Sequence, residues 1–488
     1  MKQFIKLTPI FLLAGIVIQG VDILIAAPLV AVYATIICMI IEKAKLSEVI
    51  DSAINSSKGA MLVFFIMMLA YAVAEIFMIT GVGATIIETS LAIGVTGRSV
   101  AVVTFLVTCI LSVSTGTSWG TYAACIPIFL WLSHIVGGDP ALTMCAAAGG
   151  AAFGDNIALI SDTTIFSSGL QDVNIGDRVR HQGVWSLGSV ALSTICFYVA
   201  GLVLNLPVTV GAASEAIKSI PPEAWVNLEA ERPSAVALLN QVMEGGTPIF
   251  MIIPVIIVIG MAIMKMPTIV CLFAGIFSAS LLGALIGTMT SFGQFIDTLG
   301  ASFSDAGSWV IIMMMWVVAF GGIMSRMNAF LPIANFFVRI SKKVRHLMTC
   351  NAFLCIIGNM LLSDEVAQMA TIGPVIKNIV DQEVEGSEEA KYTLRLRNAT
   401  FSDGLGVMGA ELIPWHVCSI YYVGMATAVY PLFKFTPIHL IQYNFFCWIS
   451  IVSLIILTFT GWDRFIPLLK TPQEPEVKLV ERRKKLIS

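Results

Sequence analysis

The chain has 488 residues, of which 57% are hydrophobic and 12% charged, and its formal net charge is −3. A soluble globular chain carries roughly twice that charged fraction, and no basic excess points to nucleic acid. Mean hydropathy of +0.89 comes from apolar runs spread from the first residues to Trp462, not from one patch, and the alternating ten-residue strands of an outer-membrane barrel are absent.

Lys2 and Lys6 precede an apolar run from Leu7 to Ile41, too long for the core of a cleavable signal. Its interruption at Gln19, Gly20 and Asp22 predicts two short helices. Further apolar segments run over 60–83, 99–113, 122–137, 141–165, 184–205, 248–264, 267–287, 308–325, 347–362, 366–380, 399–430 and 438–461. A spanning helix needs about 20 apolar residues, so about eleven to thirteen transmembrane segments are expected, some short or broken. The ten cysteines sit singly, without metal-ligand spacing, and read as small apolar packing residues.

Short basic loops mark the cytoplasmic side. They contain Arg178 and Arg180; Arg326, Arg339, Lys342, Lys343 and Arg345; Lys391, Arg395 and Arg397; and a tail with Arg482, Arg483, Lys484 and Lys485. The charged run from Asp381 to Arg397 reads as a solvated internal loop. The acid-rich stretch 206–247 reads as an external loop, as does 288–307 with Asp297 and Asp305. The organisation expected is a first transmembrane half at 1–205, the external loop at 206–247, a second half at 248–461 and a cytoplasmic tail at 462–488. Both termini are then cytoplasmic, in a bacterial inner membrane.

Two stretches repeat. Pro127 and Pro374 are 247 residues apart, while Ala151, Phe153 and Asp155 match Ala399, Phe401 and Asp403 at 248. The flanking charges place 99 outside and 347 inside, so the units at about 99–165 and 347–430 would be inverted. Inverted repeats with broken helices place sites at their interface near the bilayer centre.

Four polar stretches interrupt apolar sequence: Ser114 to Thr121, Gly154 to Thr164, Ser363 to Glu365, and Ser402 to Trp415. They contain Asp155, Asp162, Asp364, Glu365, Asp403 and Glu411, each costing at least about 2.5–3.5 kcal/mol if unpaired at the bilayer centre. Glycine and proline let the backbone leave helical geometry there, and the freed carbonyls, with hydroxyls and carboxylates, are the oxygen donors that suit a hard cation such as Na+. No Lys or Arg occurs from Ser114 to Ser168 or from Thr400 to Phe433, so these acids are expected to lack a basic partner and to be compensated by cations or protons. Asp364 and Glu365 border an internal loop, and Glu75, deep in its span, has helix pairing as its alternative role. His134 and His416 read first as hydrogen-bonded structural residues, and Trp119 and Trp415 as packing residues beside the breaks.

The stretches GTSWGTYAACIPI at 116–128, AAFGDNIALISDTTIFSS at 151–168 and TFSDGLGVMGAELIPW at 400–415 resemble the NhaC-type sodium/proton antiporters of the ion-transporter superfamily. The resemblance implies an all-α polytopic membrane protein with inverted repeats, re-entrant hairpins and broken helices. It implies Na+/H+ exchange by alternating access, with Thr117, Ser118, Asp155, Asn156, Ser161, Asp162 and Thr163 in the first half of the site and Asp403 and Glu411 in the second. Asp155 and Asp403 are the expected ligands of transported Na+. Many members carry Ser-Pro after the GDN motif, whereas Ala158 and Leu159 follow Ile157 here, which puts that helix break in doubt. Members also exchange malate or lactate, so coupled exchange of a small organic acid is the alternative. A membrane-embedded enzyme is disfavoured by the lack of HExxH, GxSxG or Cys/His metal spacing. The expected partners are the lipid bilayer and small ions or organic acids, with homo-oligomerisation open and no resident cofactor.

Overall fold

Apolar stretches punctuated by Asp, Ser, Asn and Pro fold as helices that begin near those residues: side chains such as those of Asp139, Asn174, Asp364 and Ser387 accept from the first unpaired N–H groups, and a proline at the first position has no N–H to leave unpaired. The computed structural model describes residues 5–19, 21–59, 61–159, 161–209, 213–264, 266–327 and 331–480. Lys2 and the basic run from Arg482 to Lys485 lie outside the described residues, and so does the side chain of Asp162.

Among the described residues are 24 α-helices. The first ten are α1 (Thr8–Ile18), α2 (Ile23–Glu42), α3 (Leu46–Gly59), α4 (Met61–Thr80), α5 (Val82–Ala92), α6 (Val100–Thr115), α7 (Ser118–Ile135), α8 (Pro140–Ile157), α9 (Asp162–Leu170) and α10 (Ile175–Val203). Three short helices follow, α11 (Ala213–Lys218), α12 (Pro222–Glu231) and α13 (Pro233–Met243). Next come α14 (Ile253–Ile263), α15 (Thr268–Ile286), α16 (Phe292–Ala306), α17 (Ile312–Arg326), α18 (Leu331–Ile340), α19 (Val344–Leu362), α20 (Glu365–Glu383), α21 (Glu388–Glu411) and α22 (Val417–Val429). The chain closes with α23 (Pro437–Tyr443) and α24 (Phe445–Thr460). A two-residue strand β1 (Val384–Glu385) pairs antiparallel with β2 (Lys478–Leu479).

Helices α2, α10, α15 and α19 are each long and apolar enough to cross a bilayer, and two bent pairs, α4 with α5 (68°) and α23 with α24 (60°), pass the same test together. Phe11, Ile40, Val203 and Leu285 are each at least 70% exposed, as lipid-facing side chains are. The chain is an all-α polytopic membrane protein. Among the described residues unbroken spans are fewer than the apolar segments, because two segments are bent pairs and others fold as shorter apolar helices, such as Val100–Thr115, Ile312–Arg326 and Val417–Val429.

The repeat is wider than the two anchors suggested. The nine helices α1 to α9 recur in order as α14 to α22, each starting between 244 and 255 residues later, from Val100 to Val344 at one extreme and Asp162 to Val417 at the other. The units interlock reciprocally. From α7, Tyr122 Oη donates to the Tyr422 carbonyl at 2.9 Å and Trp131 Nε1 to that of Val429 at 3.1 Å, both on α22. From Gln171, just past α9, Nε2 donates to the Gly373 carbonyl of α20 at 2.7 Å. Since α20 is the counterpart of α7 and α22 of α9, contact and return contact are equivalent, as a two-fold relation requires.

Three stretches read as loops are largely helical. The stretch 206–247 contains α11 to α13, with Ala235, Leu238 and Leu239 buried. It is stitched to the kink between α4 and α5. There the freed carbonyls of Ile79, Thr80 and Gly81 accept from Gln241 Nε2 (2.7 Å), Thr288 Oγ1 (2.9 Å) and Thr247 Oγ1 (2.6 Å), which is how irregular backbone is tolerated in a span. The stretch 288–307 is mostly α16. The charged run Asp381–Arg397 is helical except at 384–387. Arg397 in it is fully buried, donating to Thr458 Oγ1 (2.8 Å) and the Leu469 carbonyl (2.5 Å) and pairing with Asp463 (3.2 Å).

Candidate ion-binding site

The site forms where both repeats break. Helix α6 ends at Thr115, Gly116 takes φ 68°, ψ 22°, Thr117 is extended at φ −144°, ψ 129°, and α7 starts at Ser118. One repeat later α19 ends at Leu362, Ser363 takes φ 56°, ψ 18°, Asp364 takes φ −146°, ψ 128°, and α20 starts at Glu365. The two turns are the same conformation with different residues. Glycine adopts the left-handed region without strain, whereas a serine there costs about 1–2 kcal/mol.

The second break in each repeat follows the helix carrying the paired aspartates. Helix α8, opened by Asp139 accepting from Leu142 N at 2.7 Å, ends at Ile157, and the chain resumes at α9. The break forms although the Ser-Pro of the family pattern is missing. Helix α21 ends at Glu411 and resumes as α22, capped by His416, whose Nδ1 accepts from Cys418 N at 3.1 Å.

Asp155, in the last turn of α8, faces the starts of α7 and α9. Its Oδ2 accepts from Ser118 Oγ at 2.7 Å, and its Oδ1 from Ser161 Oγ at 2.6 Å and Thr163 Oγ1 at 3.4 Å. Ser118 is the first residue of α7 and Ser161 caps α9, so the carboxylate sits at two helix N-termini, where the positive ends of the dipoles favour negative charge. Close packing makes this possible, since a Cβ on Gly154 would overlap Ser112 of α6. Asp155 is 4% exposed, and among the described residues it has no ion pair.

Asp403 departs from expectation. Its Oδ2 pairs with Arg178 Nη2, and both side chains are fully buried. Arg178 belongs to α10, not to a cytoplasmic loop. Its other contacts are the carbonyls of Asn156 and Thr164, each at 3.3 Å. The expectation that the core acids lack a basic partner is therefore corrected: it holds for Asp155 and fails for Asp403. Thr164 Oγ1 joins the two aspartates, lying 3.1 Å from the Asp155 carbonyl and 3.3 Å from Asp403 Oδ2.

The remaining expected residues divide. Asn156 is buried and held by Gln182 Nε2, at 2.7 Å to its carbonyl and 3.0 Å to its side-chain oxygen. Asp364 caps α20, accepting from Ala367 N at 2.6 Å. Glu365, at the start of α20, accepts from Cys418 Sγ at 3.5 Å and lies beside the Trp119 indole, with Asp155 as an electrostatic neighbour. Glu411 accepts from Asn444 Nδ2 and from Cys447 Sγ at 3.4 Å. Thr117 lines an apolar cavity with Val73, Phe77 and Leu272, and its carbonyl, not its hydroxyl, serves the break by accepting from Thr121. Glu75 meets Arg232 at 3.8 Å, which is the pairing role given as its alternative. His134 Nδ1 and Tyr430 Oη are 2.8 Å apart, and Trp415 Nε1 donates to the Met360 carbonyl at 3.0 Å. Arg178, Gln182, Thr164 and Asn444 were not anticipated.

The profile of the Na+/H+ antiporter family matches residues 4–181 and 150–462, between them nearly the whole chain. The chain belongs to the Na+/H+ antiporter family. The resemblance to NhaC-type members is borne out. The Na(+)/H(+) antiporter NhaC of Alkalihalophilus pseudofirmus is 22% identical over 375 residues, covering 73% of this chain and 74% of that protein. The arginine/ornithine antiporter ArcD of Halobacterium salinarum is 23% identical over 395 residues, 76% and 72% of the two chains. The malate-2H(+)/Na(+)-lactate antiporter of Bacillus subtilis is 24% identical over 388 residues, 73% and 72% of the two. All three are named as antiporters, and this multi-pass membrane protein stands among transporters.

Proposed function

We propose that this antiporter exchanges Na+ for H+ by alternating access, with the cation held at Asp155. The observation that carries this reading is a buried carboxylate surrounded by hydroxyls and free of any ion pair among the described residues. The Asp155 carboxylate, Ser118, Ser161 and Thr163 offer the hard oxygen donors that Na+ takes, and each hydroxyl can turn its proton away and present a lone pair. Glu365 and Glu411 add two further buried carboxyls with no ion pair among the described residues. Together with the neutral Arg178–Asp403 pair, they leave the site short of positive charge until a cation or proton arrives.

The two repeats would supply the two faces of the transport path, inverted as the loop charges suggest. Arg180, Arg339, Lys342, Lys343, Lys391 and Arg395, once the buried Arg178 and Arg397 are set aside, support a cytoplasmic assignment for their loops, and our reading is a bacterial inner membrane with cytoplasmic termini.

The same acids favour a second reading, exchange of cationic organic substrates, since a guanidinium or ammonium group would meet them as Na+ does; the archaeal relative is named for arginine and ornithine. An organic anion has less to meet here, because Arg178 is committed to Asp403. The test is reconstitution in liposomes with a pH dye inside, adding Na+, K+, arginine, ornithine, malate and lactate in turn. A pH change evoked by Na+ alone supports the proposal. If only an organic substrate evokes flux, the Na+/H+ reading is wrong.

A further inference from the structure

We infer that Glu411 carries the exchanged proton at a position separate from the Asp155 cation position. This rests on the Na+/H+ reading and divides its two cargoes between two carboxyls.

The distinction comes from what surrounds each group. Both oxygens of Asp155 face hydroxyls, which can serve as cation ligands. The Oε2 of Glu411 accepts from the Asn444 amide N–H and the Cys447 thiol, and the Tyr422 hydroxyl is a further partner of the carboxyl. Amide N–H and thiol donate to an anion but are poor ligands for a hard cation. Oε1 is fully buried and has no hydrogen-bond partner among the described residues. A shell of one carboxyl and one phenol falls short of the six or so oxygens a hard cation takes, whereas a proton needs one oxygen.

The titratable groups facing Glu411 are Tyr422 and Cys418 from α22, Cys447 from α24, Cys145 and Asp155 from α8, and Tyr122 from α7. All are neutral or anionic, so Asp155 is the one neighbour among them whose charge changes when a cation arrives. A cation at Asp155 neutralises the negative charge that an ionised Glu411 would otherwise face; the O–H bond breaks, the proton leaves to the open side, and the carboxylate remains. Reprotonation on the other side neutralises Glu411, removing a negative charge that helped hold the cation, and the cation is released. Coupling then runs through the field between two sites instead of competition for one carboxylate.

The test uses the full chain in liposomes and two fluxes: exchange of radioactive Na+ against unlabelled Na+ at equal pH, which needs no net proton movement, and the pH change evoked by a Na+ gradient. Glu411→Gln should keep the first and lose the second to the level of protein-free liposomes. Parallel loss or parallel retention of both fluxes overturns the assignment while leaving the Na+/H+ reading in place. A wild-type protein that moves no radioactive Na+ overturns both. Should Glu411→Gln fail to fold, Asn444→Ser keeps a capping hydroxyl for α24 and removes the amide donor. It should move the pH at which the gradient-driven flux is half-maximal and leave Na+ counterflow intact; an unmoved pH profile overturns the assignment.

Discussion

Asp155 is held by hydroxyls and Asp403 by a guanidinium, so losing the charge has different consequences at the two positions. Asp155→Asn leaves neutral donors around a neutral amide. It should abolish Na+-evoked pH change in liposomes while the melting temperature in detergent stays near wild type. Asp403→Asn strands a buried Arg178, which should cost about 3–5 kcal/mol, and Arg178→Met should cost as much by stranding Asp403. Replacing both, Arg178→Met with Asp403→Leu, should be less damaging than either alone. Denaturant melts of the four variants would check this, and additive losses would show that the pair is not a unit. Asp155 was legible because it lies in a long apolar run with no base. Arg178 was not, because it looks like one of two loop charges with Arg180. The missed signal is periodic: Arg178, Gln182, Trp185, Ser186, Ser189 and Ser193 are the buried face of α10, polar at helical spacing where lipid-facing residues would be apolar. Asn444 gave no such signal, since its partner Glu411 is far away in sequence.

At the level of elements, the turns after α6 and α19 are one backbone conformation occupied by glycine in one repeat and serine in the other. Gly116→Ala should destabilise by about 1–2 kcal/mol through left-handed strain, while Ser363→Gly should stabilise by a similar or smaller amount. The serine change also removes a buried hydroxyl with no hydrogen-bond partner among the described residues. Opposite shifts in melting temperature would confirm the equivalence; equal signs would contradict it. Gly116 announces a break in the sequence, whereas Ser363 does so only as the start of the polar interruption Ser363 to Glu365. The break after α8 was doubted for want of a proline, yet it forms, with the hydroxyls of Thr163 and Thr164, the Arg178 guanidinium and the Gln182 amide donating to the carbonyls freed there. Helix ends are set by what satisfies their carbonyls as much as by residues that forbid continuation.

For the molecule as a whole, the all-α class and the repeat were legible from hydropathy and offset, because lipid demands apolar helices and duplication preserves spacing. The roles of 206–247 and 381–397 were not, because charge-rich sequence looks the same solvated or folded back. The pinning of the kink between α4 and α5 gives a test at this scale. Replacing Gln241 by Leu and Thr247 by Val strips donors from two buried carbonyls, at about 1–3 kcal/mol each. Hydrogen–deuterium exchange should then rise in α5 and leave α8 unchanged. No increase in α5 would show that the segment rests on the bundle without holding it.

The contacts of Arg397 bear on the order in which the protein can be made. Its partners, Thr458, Asp463 and the Leu469 carbonyl, emerge from the ribosome some sixty to seventy residues after it, and β1 waits still longer for β2. Until then α21 holds an unpaired cation near its middle. A nascent chain halted before Asp463 should be recognised as unfinished, and a fusion partner should be attached after Val480, where it leaves the closing contacts free to form.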